Sequence, residues 1–338
     1  MTLPLRKPHF IGGGVLVGLA IILAIELYLH TDRFLYQYRS VFAVGRAMDK
    51  LRYVEQTTPS LLIIGNSRVD SGFDPQTLSS VGNPSWGTAF NLGIPGANAR
   101  IHYGILSRLE REGQLGGHGI HKVVIGLDES LVQSDDSLGY GVFSADRAAM
   151  WRRHQYLDYL RASLRLWGYG DNLKELREPE KAVRFASATW RSIEPVGGGA
   201  AERNGYRPGF SGKFQDQSQI MRQEVGSRQP PDTHVMQYFR DSIELLRRNR
   251  VEVVIVFPPL LTRNVAYLEP DESWAAPYIE ISQKLQRMGI PQISLDPNRQ
   301  KSSTEFVNAG HLNDSGAQLY TRLLALELKR VWPEPDRQ

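Results

Sequence analysis

Short apolar runs that alternate with segments of helical periodicity constrain the fold of this chain most strongly. The predicted strands are 61–64, 89–92, 123–127, 251–257 and 292–295. The predicted helices are 99–112, 233–249, 272–288 and 315–331. Runs of four to seven apolar residues that end in turn residues are typical of buried strands. Strands alternating with helices form parallel sheets covered on both faces. We therefore expect an α/β fold, a three-layer αβα sandwich around a parallel sheet.

The composition narrows the classes of function. Apolar residues make up 41% of the 338 residues, which is enough for a large core. The net charge is only +4, and basic residues are interleaved with acidic ones, which argues against a nucleic-acid partner. The chain has no cysteine, so disulfides and zinc–thiolate sites are excluded. The histidines show no metal-ligand spacing, and we expect neither a metal nor a cofactor.

The N-terminal segment is predicted to be a membrane anchor. Phe10–Leu29 is almost unbroken apolar sequence of the length that spans a bilayer. Arg6 and Lys7 precede it, so the positive-inside rule places the N-terminus in the cytoplasm. A cleaved signal peptide is the competing interpretation, but no A-x-A cleavage site follows the run. We expect a single-pass protein of the bacterial inner membrane, with its catalytic domain periplasmic or extracellular.

The rest of the chain divides into a stalk, a discontinuous core domain and an insertion. The predicted units are 1–30, a cytoplasmic tip and transmembrane anchor; 31–59, a helical stalk; 60–130 and 232–333, the α/β domain; and 131–231, an insertion or lid. The insertion interrupts the strand–helix alternation. Long insertions in compact domains are commonly functional. Its segment Trp151–Trp167, rich in arginine and aromatic residues, either stacks on sugar rings or packs the insertion onto the sheet or the membrane.

Two blocks at opposite ends of the chain carry the residue types of serine hydrolysis. Ser67 follows the strand 61–64 after a Gly-Asn turn, at the edge where parallel sheets place ligands. A serine that merely caps the next helix is the alternative. His311 lies just before the last predicted helix. A hydroxyl, an imidazole and backbone N–H groups facing an oxyanion are the parts such catalysis needs. The N–H groups of Ser67 and Gly96 are candidates for the third part.

In order and spacing, these blocks resemble the SGNH/GDSL hydrolase superfamily, whose fold is flavodoxin-like. The resemblance covers about 60–330 apart from the insertion. It implies that Ser67 is the nucleophile and His311 the base, with Asn308 at the position of the triad acid. It implies an oxyanion hole formed by Ser67, Gly96 and the residue at position 128.

Two residues depart from the family pattern. The family has an oxyanion asparagine where this chain has Asp128, and a triad aspartate where it has Asn308. An active site requires Asp128 to be protonated or turned away, and burial against the end of the strand 123–127 is the expected route to a neutral carboxyl. Asn308 can orient an imidazole through its side-chain oxygen but stabilises the imidazolium less. Glu305 or Asp314 are spatial substitutes, although Asp314 is expected to cap the last helix.

His311-Leu312-Asn313 with Gly316 is similar to a membrane-anchored branch of the family that handles acyl groups on envelope polymers. The implied function is a serine esterase or O-acyltransferase acting on acyl (acetyl) esters of a cell-envelope glycan or exopolysaccharide, with a membrane acyl-donor protein as a possible partner. The alternative is a non-catalytic protein of this fold that binds polysaccharide or scaffolds an export complex. Arg68 and Asn98 are candidate substrate-binding residues, and a helix-surface role is the alternative for Arg68.

Overall fold

The computed structural model describes residues 9–39, 41–133, 140–190, 203–209, 230–261, 275–295 and 303–334. The strands are β1 Leu61–Gly65, β2 Ala89–Gly93, β3 Lys122–Gly126, β4 Glu252–Phe257, β5 Gln292–Ser294, β6 Phe306–Asn308 and β7 His311–Leu312. The helices are α1 His9–Leu29, α2 Asp32–Gln37, α3 Ala43–Thr57, α4 Ser67–Asp70, α5 Pro75–Val81, α6 Ala99–Arg111, α7 Tyr140–Phe143, α8 Arg147–Arg152, α9 Tyr156–Ser163, α10 Arg165–Gly168, α11 Gly170–Lys174, α12 Pro179–Trp190, α13 Thr233–Arg248, α14 Ala276–Arg287 and α15 Asp314–Val331.

Five parallel strands form the central sheet in the order β2-β1-β3-β4-β5. The α/β class and the parallel sheet predicted from the sequence are confirmed. In a doubly wound sheet of this order, the strand order reverses direction next to β1, and this place is called the switch point. Ligands bind beside it, at the carboxyl ends of the strands. The switch point lies between β1 and β3, so the residues after Gly65 and Gly126 meet there.

Alternate residues of the strands enter two separate apolar cores, one on each face of the sheet. Leu62 and Ile64 of β1 face a core completed by α3, α6, α13 and α14. Leu61 and Ile63 face a second core completed by α5 and α15. This alternation follows from the two-residue period of a strand. Helices on both faces make the three layers, and each large side chain that is fully buried contributes about 1.5–3 kcal/mol.

The predicted stalk is helical, and it packs against the sheet domain. Val44, Met48, Leu51 and Val54 of α3 are spaced three or four residues apart and are almost completely buried. They belong to the same core as β1 and α6. Burial of one whole face at this spacing makes α3 part of the outer layer.

The N-terminal helix α1 precedes this layer. Many of its large apolar side chains are exposed, including Leu16, Leu19 and Leu23. No helix within the described residues meets the combined length and hydropathy expected of a membrane span. Residues 1–8 of the predicted unit 1–30 lie outside the described residues.

The insertion is described in two parts. Residues 140–190 form the helices α7 to α12, and residues 203–209 form a short segment that follows the edge of the sheet. In this segment the carbonyl of Asn204 accepts a hydrogen bond from the N–H of Asn91 in the edge strand β2, at 2.8 Å. Gly205 must be a glycine, because a Cβ there would lie 2.1 Å from the carbonyl oxygen of Asn91. The insertion therefore contributes directly to the border of the sheet domain.

Candidate functional site

Ser67 is held at the switch point by a turn and a single helical turn. β1 ends at Gly65, and Asn66 caps α4 by accepting the N–H of Arg68 on its Oδ1 at 3.0 Å. Asparagine is among the preferred capping residues, since its oxygen satisfies an N–H that has no partner in the helix. The cap belongs to Asn66, and Ser67 is the first residue of the helix.

His311 reaches Ser67 from the other end of the chain. The antiparallel pair β6–β7 carries Asn308 on one strand and His311 on the other, in register. The Nε2 of His311 lies 2.8 Å from the Oγ of Ser67. This is an ordinary hydrogen-bond distance. On the far side of the imidazole, Nδ1 lies 3.0 Å from the Oδ1 of Asn308.

The hydrogen bonds of Asn308 fix the protonation pattern of the imidazole. The N–H of Gly310 donates to Oδ1 of Asn308 at 2.9 Å, which identifies this atom as the amide oxygen. An amide oxygen accepts only, so the Nδ1 of His311 must be the protonated nitrogen. The Nε2 of His311 is then the acceptor for the hydroxyl proton of Ser67. This is the arrangement in which an imidazole acts as a general base.

Burial and nearby cations keep His311 neutral. Burial lowers the pKa of His311 below its ordinary value, and the guanidinium groups of Arg68 and Arg207 lower it further. The carboxylates of Asp128 and Asp70 oppose this shift in part. A lowered pKa keeps the imidazole unprotonated, and hence basic, at neutral pH.

Gly96 lies in a turn that follows β2, next to the end of β1 in the sheet. The N–H of Ile94 donates to the carbonyl of Gly65 at 2.8 Å, which brings the end of β2 against the end of β1. The N–H of Ala97 donates to the carbonyl of Ile94 at 2.9 Å, and Gly96, at the third position of this turn, has a φ of 76°. A type II turn requires this conformation, which glycine adopts without strain. Gly96 is exposed, so its backbone is accessible to a substrate.

Both carboxylate oxygens of Asp128 are held by neighbouring donors. Both of its carboxylate oxygens accept from Nδ2 of Asn66 at 2.8 Å, and Oδ1 also accepts the N–H of Leu131 at 3.0 Å. Its Oδ2 lies 2.9 Å from Nη1 of Arg68. These are the contacts of an ionised carboxylate. The sequence predicts a neutral carboxyl buried against the end of β3. The structure instead has a buried carboxylate that is paired with Arg68 and donates no hydrogen bond.

The guanidinium of Arg68 is paired with two acidic side chains beneath the site. Its Nη1 contacts Oδ2 of Asp128 and, at 3.0 Å, Oε2 of Glu129. Only 8% of the arginine side chain is exposed. Arg68 thus lies neither on the helix surface nor in the position of an exposed substrate-binding cation. No local sequence pattern indicates a role for Glu129, because its partner Arg68 is 61 residues away.

A second buried charge cluster supports α4 from the other side. Asp70 is completely buried and contacts Nζ of Lys50 at 2.6 Å, Nη2 of Arg46 at 3.1 Å and Nε of Arg207 at 2.9 Å. Burial by itself raises the pKa of Asp70, but Lys50, Arg46 and Arg207 together hold it below its ordinary value. Burial lowers the pKa of Lys50 to about 8, although Asp70 opposes that shift. No local sequence pattern indicates this cluster, because α3, α4 and the insertion each supply part of it.

Three further candidates, Asn98, Asp314 and Glu305, serve local structure. Asn98 caps α6 by accepting the N–H of Arg100, and its Nδ2 donates to the carbonyl of Gln133 at 2.9 Å. The cap of the last helix is Asn313 rather than Asp314. Asp314 accepts the hydroxyl of Tyr206 from the insertion at 2.9 Å.

Glu305 lies at the same end of the last helix, where its backbone carbonyl accepts the N–H of Asn313 at 2.9 Å. The imidazole of His311 is oriented by Asn308, so neither Glu305 nor Asp314 takes the place of the triad acid.

No cluster of three or more His, Asp or Glu side chains suited to a metal ion occurs in the described parts of the chain. Comparison with models of known protein families gives no match, and comparison with curated proteins gives none either.

Proposed function

We propose that this protein is a serine esterase or O-acyltransferase that acts on acyl esters, most simply acetyl esters, of a cell-envelope glycan or exported polysaccharide. The observation that carries the proposal is the hydrogen-bonded series Ser67–His311–Asn308, formed by residues that lie more than 240 positions apart. A hydroxyl hydrogen-bonded to an imidazole that is itself oriented by a third group is the signature of an activated nucleophile. The resemblance to SGNH/GDSL hydrolases supports the same assignment.

The proposed reaction has two steps. The Oγ of Ser67 attacks the ester carbonyl while Nε2 of His311 takes the hydroxyl proton, and collapse of the tetrahedral intermediate gives acyl-Ser67. The departing alkoxide receives the proton from His311. Water or an acceptor hydroxyl then attacks acyl-Ser67 by the reverse sequence, which makes the protein an esterase or an acyltransferase respectively.

The oxyanion hole in this proposal consists of backbone groups. The N–H of a first helical residue has no partner within its helix, which makes that of Ser67 available. The N–H of Gly96 is the second candidate donor. Asp128 contributes no donor, because its oxygens accept from Asn66 and Leu131. Losing one donor costs about 10²–10³ in rate in other serine hydrolases, so we expect slow turnover.

We further propose that the protein is anchored in the bacterial inner membrane, with the α/β domain on the periplasmic or extracellular side. The anchor rests on the apolar run Phe10–Leu29 and on Arg6 and Lys7 before it. Tethering would keep the enzyme beside a polymer at the membrane and beside a membrane protein that donates acyl groups. That setting favours transfer over hydrolysis.

Labelling with an activated fluorophosphonate tests the catalytic proposal. The native chain should be modified on the tryptic peptide that contains Ser67, and Ser67→Ala and His311→Gln should each abolish the modification. Ser80→Ala is the matched control, because Ser80 is exposed and its hydroxyl donates to the carbonyl of Thr77 within α5. Failure of the folded native chain to react at Ser67 would contradict the proposal.

A non-catalytic role is the second candidate, and the charge-paired Asp128 favours it. In that case Ser67 and His311 are remnants of a catalytic site, and the protein binds polysaccharide or scaffolds an export complex. Polysaccharide binding by a native chain that does not react with the fluorophosphonate would support this alternative.

A further inference from the structure

The helices of the insertion carry an exposed apolar stripe. Leu157, Leu160 and Leu164 are each about half exposed, at 55%, 46% and 50%, and Trp167 continues the series at 48%. Leu157 and Leu160 lie three residues apart on α9, Leu164 is the residue that joins α9 to α10, and Trp167 lies on α10. Four large apolar groups so close together on a water-facing surface need a partner, whereas single ones do not.

Other exposed apolar groups occur on neighbouring helices, with basic residues among them. Trp151 on α8 and Tyr156 at the start of α9 are exposed, and their rings contact each other. The guanidinium of Arg161 lies 5.6 Å from the ring centre of Trp167. Leucine and tryptophan interleaved with arginine are typical of helices that lie in the interface of a bilayer. We call the stripe, together with Trp151 and Tyr156, the interfacial patch.

The interfacial patch is joined directly to the end of α1. The carboxylate of Glu26 accepts the N–H groups of Arg165 and Leu166, at 2.6 and 2.9 Å, at the start of α10. Nη1 of Arg165 donates to the carbonyl of Leu29 at 3.1 Å. Nε2 of His30 lies 3.2 Å from the carbonyl oxygen of Ser163. These bonds fix the last turn of α1 between the two halves of the stripe, so its exposed apolar surface continues into the patch.

We propose that the interfacial patch lies in the headgroup region of the lipid bilayer that holds α1, so that the insertion is a monotopic membrane-binding element. This inference rests on the proposed membrane anchor. A bilayer is favoured over a protein partner because the patch adjoins the exit point of α1. Helices at that junction cannot avoid the membrane surface if α1 spans it. The patch also has the aromatic and basic composition of an interface.

The cysteine-free sequence allows a direct test with single introduced thiols. Leu160→Cys is labelled with the polarity-sensitive fluorophore NBD in the full-length chain, which is then reconstituted in phosphatidylcholine–phosphatidylglycerol vesicles. Leu326→Cys is the matched control, because Leu326 is an equally exposed leucine, at 50%, on α15. Leu19→Cys reports on α1 itself.

On reconstitution, the label at position 160 should show a blue shift and a several-fold rise in emission, with strong quenching by lipids carrying a doxyl group. A label at a depth of about 5–10 Å is close to such quenchers and shielded from iodide. The label at position 326 should stay accessible to iodide.

If position 19 is shielded and position 160 behaves like position 326, the anchor stands and the patch proposal falls. If position 160 is shielded without doxyl quenching, the patch is covered by protein, which also overturns the proposal. If position 19 itself remains accessible to iodide, the anchor fails, and the patch proposal fails with it. None of these readouts depends on the chemistry at Ser67.

Discussion

Asn308 takes the position at which a triad acid would stand, and the structure shows how an amide fills it. Its oxygen accepts from the N–H of Gly310 and from Nδ1 of His311, at 2.9 and 3.0 Å. The imidazole is therefore oriented as in a triad, but the residue at position 308 supplies no negative charge that would stabilise an imidazolium. Orientation and charge, which an aspartate supplies together, are separated here.

Asn308→Asp should shift the pH dependence of Ser67 reactivity. Because the pKa of His311 is lowered in the native chain, reactivity should fall with acid only below the ordinary histidine range near pH 6.5. A carboxylate at position 308 would favour the protonated imidazole and raise the pKa of His311. The acid limb should therefore move to higher pH, and the maximal rate should increase.

The rate of fluorophosphonate labelling against pH measures this shift. Asn83→Asp is the control, since Asn83 caps a short turn whose cap an aspartate maintains. An unchanged acid limb in Asn308→Asp would contradict the assigned role of Asn308.

Asp128→Asn should destabilise the fold instead of restoring an oxyanion donor. An amide at position 128 would place N–H groups against Nδ2 of Asn66 and Nη1 of Arg68, which are both donors. Breaking a buried ion pair costs about 3–5 kcal/mol, and Glu129 still pairs with Arg68, so we expect a loss near the lower end. The free energy of unfolding in urea measures it.

Asp171→Asn, at an exposed surface pair with Lys174, should change the unfolding free energy by about 0.5 kcal/mol or less. Full stability of Asp128→Asn with faster labelling of Ser67 would show that position 128 does face the oxyanion.

At the scale of elements, α4 is the critical piece. It has four residues, far fewer than a helix needs to persist alone. Arg68 ties its one side to Asp128 and Glu129, and Asp70 ties the other to Lys50. Ser67 is thus placed by two buried ion-pair clusters rather than by the helix itself.

Asp70→Asn should disrupt one of the two ion-pair clusters that position α4. It would leave Lys50 buried without a counter-charge, which costs about 3–5 kcal/mol, and it should reduce labelling of Ser67 by disordering α4. The double variant Asp70→Asn with Lys50→Met should recover part of the stability, because the unpaired buried charge is gone.

Glu327→Gln, in an exposed pair with Arg330, is the control for Asp70→Asn. Urea unfolding of the native chain, Asp70→Asn, Lys50→Met and the double variant gives the coupling energy between Asp70 and Lys50. Additive losses in the double variant would show that Asp70 and Lys50 do not interact.

At the scale of the whole molecule, the boundary between α1 and the packed domain lies before α2. Helix α3 shares a core with the sheet, whereas many apolar side chains of α1 are exposed. A chain that begins at residue 31 should therefore unfold cooperatively and retain the Ser67–His311 site. A chain that begins at residue 58 loses four or more core side chains of α3, at about 1.5–3 kcal/mol each. The summed loss is comparable to the whole free energy of unfolding of an ordinary domain.

Calorimetry of the two truncated chains tests this boundary. The longer one should give a single transition, and the shorter one should give none. A cooperative transition in the chain that begins at residue 58 would mean that the segment before the sheet is dispensable, as a separate stalk would be.

The sequence alone determined the sheet and the two ends of the site. Strands are short runs of consecutive apolar residues, and helices recur with a local period, so both are visible in a window of about ten residues. The strands at 61–64, 89–92, 123–127 and 251–257 lie where the pattern predicts them. The turn after the strand 61–64 indicates Ser67, and the block just before the last helix indicates His311.

Only the tertiary structure decided what the charged and amide side chains do. Asp128 binds Asn66 and Arg68, and Asp70 collects cations from α3 and the insertion. Such partners are distant in sequence, and a carboxylate carries no local sign of whether it will be paired, protonated or solvated. A buried charge is tolerated only with a partner, and which partner it finds depends on how the layers pack around the sheet.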